Sequence, residues 1–256
     1  MIAHDPNLEL RLAHSDADLR AAQRLRYAVF VEELGGDGPM VDHDARLEAD
    51  VHDGDYDHLL LVDRRRDASA LDHVIGVYRL MPGDRAARAG FYCAGEYDLS
   101  ILTGSDRKLL ELGRSCLHRE YRGGSAMYVL WQGLAGYIQE RGIEVLFGVA
   151  SFHGTDVRTL AQPLALLHDK HLAPPDLRVR AVEAAYQTME LMDPATIDRR
   201  TAMAAIPALI KAYLRLGGFV GDGAFVDHPF NTTDVCLVLD IARMDAKSRA
   251  LYAGPQ

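Results

Sequence analysis

The segment LLELGRSCL (residues 109–117) places a carboxylate and a guanidinium inside an otherwise apolar run. The two side chains are Glu111 and Arg114, and Gly113 lies between them. The run predicts a central strand, and charged residues seldom occupy such strands unless they are paired or used. A glutamate in this position could act as a general base. A purely structural ion pair is the alternative interpretation, and the residues alone leave both open.

The segment EADVHDGDYD (residues 48–57) is rich in carboxylates. They belong to Glu48, Asp50, Asp53, Asp55 and Asp57. Clustered carboxylates attract an ammonium group, so this segment is a candidate pocket for a cationic substrate. A solvated acidic loop is the alternative. The glycine and the closing glutamate are misplaced for a calcium loop, and no metal site is predicted.

A basic, glycine-containing turn follows the apolar run and leads into a predicted helix. Its candidate ligand-binding residues are Arg119, Arg122, Gly123, Gly124 and Ser125. Backbone N–H groups at a helix start, next to arginines, suit a phosphate or pyrophosphate. An ordinary turn between a strand and a helix is the alternative. Both the P-loop and the dinucleotide fingerprint are missing from the sequence, so a bound nucleotide cofactor is not predicted.

Composition limits the classes of protein to consider. The chain has 256 residues, 48% of them hydrophobic and 25% charged, and a net charge of −9. These values are typical of a globular protein and argue against a nucleic-acid coat. No apolar run approaches the roughly 20 residues of a membrane span, and the acidic N-terminus does not resemble a signal peptide. A cytoplasmic location is therefore expected. Three widely spaced cysteines suggest neither a disulfide framework nor a zinc site.

Hydrophobic periodicity predicts the elements that must position these groups. Leu8 to Leu12 alternates as a strand, and Ser15 with Asp18 resembles a helix N-cap. A helix with apolar positions from Leu19 to Phe30 follows. The remaining predicted strands are 58–63, 73–80, 109–117, 144–150, 219–226 and 235–241, and the remaining predicted helices are 125–141, 156–168 and 206–216. Pro163 interrupts the helix over 156–168 unless it lies in the first turn.

This order of elements predicts a mixed α/β layer fold (α+β class) with one sheet. Residues 58–63 and 73–80 are expected to pair, and the nearly all-apolar strand 144–150 is expected to be central. No linker or repeat divides the chain, so we expect a single domain over residues 1–256. Residues 154–205 are the least regular part and are expected to form a partly helical insertion.

Several long motifs carry a family resemblance. They are RLRYAVFVEELG, EADVHDGDYDHLLLVD, VIGVYRLM, GFYCAGEYDLS, LELGRSCLHREYRGG, LFGVASFHGTD, KAYLRLGGFVG and DHPFNTTDVCLVLDI. Together they resemble the bacterial L-ornithine N-alpha-acyltransferases of ornithine-lipid biosynthesis, also labelled hemolysin-like proteins. The resemblance covers residues 8–241. It implies an acetyltransferase-like (GNAT) fold, shared with acyl-homoserine-lactone synthases, with a mostly antiparallel central sheet flanked by helices.

The resemblance also implies a reaction. A 3-hydroxyacyl group would pass from acyl carrier protein to the alpha-amine of L-ornithine, giving lyso-ornithine lipid, with no cofactor beyond the donor's phosphopantetheine. The general acetyltransferase loop pattern, Arg/Gln-x-x-Gly-x-Gly/Ala, is not met after Arg122. This departure fits a donor that carries a single phosphate. Because a membrane must receive the lipid product, the chain is expected to contact the inner-membrane surface.

Matching the motifs assigns roles to individual residues. The resemblance places Glu111 and Arg114 in the site. The chemistry of amine attack then makes Glu111 the candidate base, directly or through a water molecule, and Arg114 the residue that orients it or contacts the donor. The donor's phosphopantetheine would bind at Arg119, Arg122 and Gly123–Ser125. The implied substrate-binding residues are Arg26, Phe30, Asp50, Asp53, Asp57 and Arg79, with the register among the three aspartates open.

Two other functions compete with this one. An acyl-homoserine-lactone synthase would use S-adenosylmethionine, but the tryptophan that follows the first helix in that branch is missing, since the one tryptophan here is Trp131. A non-catalytic protein that binds an acyl carrier or a lipid is the second alternative. The presence of Glu111 and Arg114 argues against it.

Overall fold

The computed structural model of the chain describes residues 5–246 and 249. The first four residues of the N-terminal segment considered above lie outside this part. The chain folds as two compact units. The first contains residues 5–81 and 112–142, and the second contains residues 82–111, 143–246 and 249. The expectation of a single domain stays a prediction.

Strands make up much of both units. In chain order the described strands are β1 (Leu8–Leu12), β2 (Val41–Asp42), β3 (Leu47–Glu48), β4 (Asp57–Asp63), β5 (Val74–Pro82), β6 (Tyr97–Asp98), β7 (Leu109–Leu117), β8 (Val145–His153), β9 (Arg180–Ala181), β10 (Tyr186–Gln187), β11 (Phe219–Val220), β12 (Ala224–Asp227) and β13 (Thr232–Asp240). The first three residues of β7 belong to the second unit, and the rest of the strand belongs to the first.

The described α-helices are α1 (Asp16–Arg26), α2 (Gly83–Ala89), α3 (Ser100–Thr103), α4 (Ala126–Arg141), α5 (Ala161–His171), α6 (Arg199–Ala205) and α7 (Ala208–Arg215). A π-helix, Tyr27–Glu33, continues α1. Short 3₁₀ turns cover Tyr92–Gly95, Arg119–Tyr121, Glu183–Ala185, Pro194–Thr196 and Ile241–Arg243. No helix among the described residues is both long and apolar enough to cross a membrane.

In the first unit the strand order is β1-β4-β5-β7. Strand β1 pairs antiparallel with β4, which pairs antiparallel with β5, as the sequence predicts for residues 58–63 and 73–80. Helix α1 begins as predicted, because the Ser15 side chain accepts the backbone N–H of Asp18 at 3.2 Å. Its apolar face, which includes Ala22 and Leu25, packs in a buried cluster with residues of β4 and β5.

The predicted helix from Leu19 to Phe30 divides into two geometries. The α-helical part ends at Arg26, and the following residues adopt the wider π form up to Glu33. Long π-helices are rare and often accompany functional sites. Apolar periodicity does not reveal this change, because a π segment of seven residues is too short to show a change of period.

The second unit is built around a long antiparallel pair. Strand β8 pairs with β13 from Val145↔Asp240 to His153↔Thr232, and it pairs in parallel with the start of β7. The order continues β13-β12-β10, with β11 also on β13. Strand β8 therefore lies inside the sheet, as its nearly all-apolar sequence predicts. The mixed α/β fold with a mostly antiparallel sheet is confirmed.

Prolines set the helix boundaries in the second unit. Pro163 is the third residue of α5, so it lies in the first turn, where a proline does not break a helix. The predicted helix over 206–216 is wrong at its start. Ile206 is extended (ψ 131°) because a residue before proline is driven out of the helical region, and α7 begins only after Pro207.

Candidate functional site

Six charged side chains of the first unit form a closed cycle of ion pairs, which we call the charged ring. Arginines and carboxylates alternate around it, and each makes two contacts. In cyclic order its members are Arg26, Asp53, Arg79, Asp50, Arg114 and Glu48. Five of the six are residues that the sequence analysis assigns to the site, namely Arg26, Asp50, Asp53, Arg79 and Arg114.

Contact distances around the ring are those of charge-assisted hydrogen bonds at most positions. Asp53 Oδ1 accepts from Arg26 Nη1 at 2.6 Å and from Arg79 Nη1 at 3.0 Å. Asp50 Oδ2 lies 2.6 Å from Arg79 Nη1 and 3.7 Å from Arg114 Nη2. Arg114 Nε donates to Glu48 Oε1 at 3.0 Å, and Arg26 Nε donates to Glu48 Oε2, which closes the cycle.

The ring members come from four stretches of chain. Arg26 is the last residue of α1, and Glu48 ends the β2–β3 hairpin. Asp50 and Asp53 lie in the loop before β4, where the Asp53 backbone N–H donates to the Asp50 carbonyl. Arg79 lies opposite His58 on the β4–β5 pair, and Arg114 lies on β7.

The ring is almost fully removed from solvent. Side-chain exposure is 0% for Arg26, 4% for Glu48 and Asp53, 1% for Arg79, 6% for Asp50 and 16% for Arg114. Buried charges are tolerated only when they are paired and hydrogen-bonded. Here three arginines balance three carboxylates, so the formal charge of the ring is zero. Arg114 is the most exposed member.

Burial and pairing act in opposite directions on the titration of the ring. Burial by itself would raise the pKa of Asp53, but Arg26, Gln23 and Arg79 hold it well below its usual range. The pKa of Asp50 is also lowered, because Arg79 outweighs the effect of burial. The pKa of Arg26 is raised overall, since Glu48 and Asp53 outweigh its own desolvation. Arg26, Asp50 and Asp53 are therefore charged at neutral pH.

Arg114 has an unusual backbone. Its φ is +47°, in the left-handed region that disfavours residues with a Cβ, whereas the neighbouring Gly113 has no positive φ. The sequence analysis expects an irregularity of β7 at Gly113, and the structure has it one residue later. The side-chain contacts of Arg114 to Glu48 and Asp50 accompany this conformation.

The sequence analysis does not assign one ring member and three neighbours of the ring to the site. The ring member is Glu48, which it names only as part of the acidic segment. Gln23 Nε2 donates to Asp53 Oδ2 at 2.9 Å, and it precedes Arg26 by one helical turn, a spacing that could have revealed it. The Tyr56 ring lies 4.5 Å from the Arg79 guanidinium carbon. His58 Nε2 lies 2.9 Å from the Asp53 carbonyl.

Glu111 belongs to the second unit, where it is 1% exposed. Its carboxylate accepts the backbone N–H of Tyr92 at 3.0 Å and that of Cys93 at 2.6 Å. Both donors lie at the start of a 3₁₀ turn. Cys93 is buried in the apolar cluster beside Cys236, and this desolvation, together with the nearby Cys236 and Glu111, raises the pKa of its thiol well above the usual value. The thiol is therefore not a nucleophile at neutral pH.

Two of the predicted substrate residues lie outside the ring. Phe30 is part of the π-helix and packs against the apolar cluster beneath α1. Asp57 starts β4, and its Oδ2 accepts from the Tyr137 hydroxyl at 2.7 Å and lies 3.8 Å from Arg141. Asp57 thus contacts α4, whereas Asp50 and Asp53 contact the ring arginines.

The predicted phosphate-binding residues all lie between β7 and α4. Arg119 is exposed, and Arg122 bonds to both carboxylate oxygens of Glu33 at 2.7 and 3.1 Å. Gly123 has a φ of +79°, which suits glycine, and Ser125 makes no side-chain cap on α4. The first N–H groups of α4 are therefore not capped by that hydroxyl.

One acidic group elsewhere in the second unit has the spacing of metal ligands. Carboxylate oxygens of Glu96, Asp227 and Asp234 lie within 4.8 Å of one another. Glu96 and Asp234 are buried. Acidic groups of this size also occur without an ion.

Comparison with known proteins gives concordant matches. Residues 25–132 match the family model described as an acetyltransferase (GNAT) domain. The chain is 58% identical over 253 residues to the L-ornithine N(alpha)-acyltransferase of Rhodobacter capsulatus, covering 98% of this chain and 97% of that protein. It is 42% identical to the enzyme of the same description from Brucella abortus, covering 96% and 89%. A solved CoA-dependent acyl-homoserine lactone synthase has a similar fold, with 15% identity, 96% and 87% coverage, and a TM-score of 0.54.

Proposed function

The chain belongs to the L-ornithine N(alpha)-acyltransferase family and is an N-acyltransferase, and from this premise we propose that it transfers a 3-hydroxyacyl group from acyl carrier protein to the alpha-amine of L-ornithine. The product is lyso-ornithine lipid. The observation that carries the proposal is the 58% identity over nearly the whole of both chains.

The proposed chemistry is a direct attack of the amine on the thioester carbonyl. A free alpha-amine has a pKa of roughly 8, so a modest base is sufficient to remove its proton. The C–N bond forms, the C–S bond breaks, and the proton from the amine leaves with the base while the thiolate departs. Glu111 is our candidate base, directly or through a water molecule.

The environment of Glu111 supports this role. The backbone N–H groups of Tyr92 and Cys93 each donate to one of its carboxylate oxygens, which fixes the orientation of the side chain. The developing oxyanion also needs donors, and backbone N–H groups at the Gly113–Arg114 irregularity are our candidates.

The charged ring is our candidate for binding the acceptor, ornithine. Ornithine has a carboxylate and two amino groups, so complementary contacts require both signs of charge. Arg114, the most exposed ring member, is our candidate for its carboxylate. A substrate ammonium would bind Asp50 or Asp53 only by exchanging with a ring arginine, because both carboxylates already contact arginines. Asp57 is available to a substrate only in competition with Tyr137.

The turn before α4 is our candidate for the donor's phosphopantetheine phosphate. A helix start whose cap residue makes no side-chain bond suits an anion, and the exposed Arg119 adds a positive charge. Arg122 is already bonded to Glu33, so Arg119 is the better candidate for contact with the carrier.

The test is a defined assay with the purified chain. It is incubated with 3-hydroxyacyl carrier protein and L-ornithine, and the product mass is determined. Parallel reactions replace ornithine by S-adenosylmethionine and the carrier by acyl-CoA. The proposal expects acyl-ornithine from the carrier donor. A lactone product, or acyl-ornithine formed faster from acyl-CoA, would contradict it.

A charge reversal at Arg119 tests the donor site separately. We expect Arg119→Glu to slow the reaction with carrier protein by a factor that shrinks as salt rises, because salt screens steering and repulsion alike. Reaction with a small acyl-pantetheine thioester should suffer less. Equal losses with both donors would place carrier docking elsewhere.

A further inference from the structure

Helices α6 and α7 of the second unit carry a basic surface in an acidic chain. Residues 199–221 contain Arg199, Arg200, Lys211 and Arg215 and no Asp or Glu, a formal charge of +4 in a chain of −9. Among the described residues, none of these four side chains lies within ion-pair distance of a carboxylate. The three arginines of the charged ring and Arg122 are paired with carboxylates, so this segment differs from them.

The exposed faces of the two helices are not only basic. On α6, Ala202 is buried, whereas Arg200, Met203 and Ala204 are exposed. Met203 is 37% exposed, which makes it one of the few large apolar side chains open to solvent in the described residues. Cations on this helix thus flank a patch of apolar groups with few hydrogen-bonding side chains.

Helix α7 presents the same combination. Ile210 and Tyr213 are buried, and Ala208, Lys211, Ala212 and Arg215 follow one another at helical spacing on the opposite side. Lys211 Nζ donates to the Met203 carbonyl at 3.2 Å, so the two exposed faces are adjacent. We call these faces together the basic surface, defined by Arg199, Arg200, Met203, Ala208, Lys211 and Arg215.

We propose that the basic surface docks the protein on the anionic face of a lipid bilayer. Cations clustered on amphipathic helices bind the phosphates of acidic lipids, and exposed apolar groups between them contact the headgroup boundary. Neither helix is long enough to cross a bilayer, so each lies on the membrane surface. This inference goes beyond the proposed reaction and does not depend on which amine accepts the acyl group.

An acidic carrier protein is the other partner that positive charge would attract. The apolar groups on the same faces favour the bilayer, because electrostatic docking of an acidic protein does not require Met203 to be exposed. The following experiment separates the two partners.

Binding is measured by sedimentation of the full chain with vesicles of equal parts phosphatidylglycerol and phosphatidylcholine, and with vesicles of phosphatidylcholine alone. We expect binding to the first and little to the second. Each basic residue near an anionic surface contributes roughly fivefold, so Arg200→Gln with Arg215→Gln should weaken binding about 25-fold. Met203→Glu should also weaken it.

The matched control removes the same amount of charge elsewhere. Arg20→Gln with Arg88→Gln replaces two exposed arginines on other helices and should leave vesicle binding unchanged. Unaltered circular dichroism of all variants checks that they are folded.

The proposal would be overturned if the variant with Arg200→Gln and Arg215→Gln bound anionic vesicles as tightly as the wild-type protein does. So would loss of carrier-protein binding in that variant with vesicle binding retained. Because this readout contains no substrate, its failure leaves the proposed reaction untouched.

Discussion

Buried carboxylates are held in two different ways in the two units. Glu48 and Asp53 are bound by arginines, whose charges they cancel. Glu111 is bound by the backbone N–H groups of Tyr92 and Cys93, which are neutral. Guanidinium pairing and backbone donation both satisfy the oxygen atoms, but only the first supplies an opposite full charge.

This difference indicates where proton transfer is expected. A carboxylate between two guanidiniums has a lowered pKa and accepts a proton poorly. The lowered pKa of Asp53 is an example. Glu111 is instead held in place by the backbone N–H groups of Tyr92 and Cys93, one on each carboxylate oxygen. We therefore expect the ring to be structural and to contact substrate through Arg114, and we expect the base to be Glu111.

The largest expected effect is on stability, when the ring loses a cation. Arg26→Met leaves Glu48 and Asp53 buried with one partner fewer each, and breaking such pairs costs roughly 3–5 kcal/mol. Urea unfolding measures the change. Arg20→Met, on the exposed face of the same helix, is the control and should change the free energy of unfolding by about 0.5 kcal/mol or less. A similar small change in Arg26→Met would mean that the ring does not hold the fold.

The second effect is on turnover, with the fold retained. Glu111→Gln keeps an oxygen that can accept a backbone N–H but removes the charge, so kcat should fall roughly 100-fold, the scale of general-base loss. Glu144→Gln is the matched control, because Glu144 also accepts a backbone N–H, from Lys108 at 2.9 Å, but is 47% exposed. Normal turnover of folded Glu111→Gln would remove Glu111 from the chemistry.

A smaller effect distinguishes the ring members from one another. Lysine lacks the fork with which an arginine bridges two carboxylates, so Arg114→Lys should weaken the contacts to Glu48 and Asp50. We expect roughly a tenfold loss of kcat/KM, which is the effect of losing one charged hydrogen bond. The Tm should change little. Arg79→Lys, at a buried position, should lower Tm instead. The same phenotype in both variants would contradict a special role for Arg114.

The smallest expected effect is in the dependence of stability on pH. The pKa of Asp53 is lower in the folded chain than in the unfolded one, so its contribution is fully present above the unfolded pKa and is lost as pH falls towards the folded value. The stability difference between wild type and Asp53→Asn should therefore narrow below about pH 4. Urea unfolding of both proteins at stepped pH measures this difference in the free energy of unfolding. A difference that stayed constant with pH would show that folding does not lower the pKa of Asp53.

Most regular elements could be predicted from local pattern. Strand β1 alternates apolar and polar residues, and α4 ends at Gly142, which has a φ of +62°. Such signals lie within a few residues of one another, so a single sequence contains them. The mispredicted start of α7 also had a local cause, the extended residue before Pro207, which the apolar periodicity concealed.

The sequence by itself determined the types of chemical group, the strands and helices that carry them and, through the family resemblance, five of the six ring residues. Only the tertiary structure decided that these six side chains close into a cycle with no net charge, whereas Glu111 binds backbone donors. The ring contacts join residues 22 to 66 positions apart. Such contacts depend on how hairpin, loop and strands pack against α1, and local propensity contains no information on that packing.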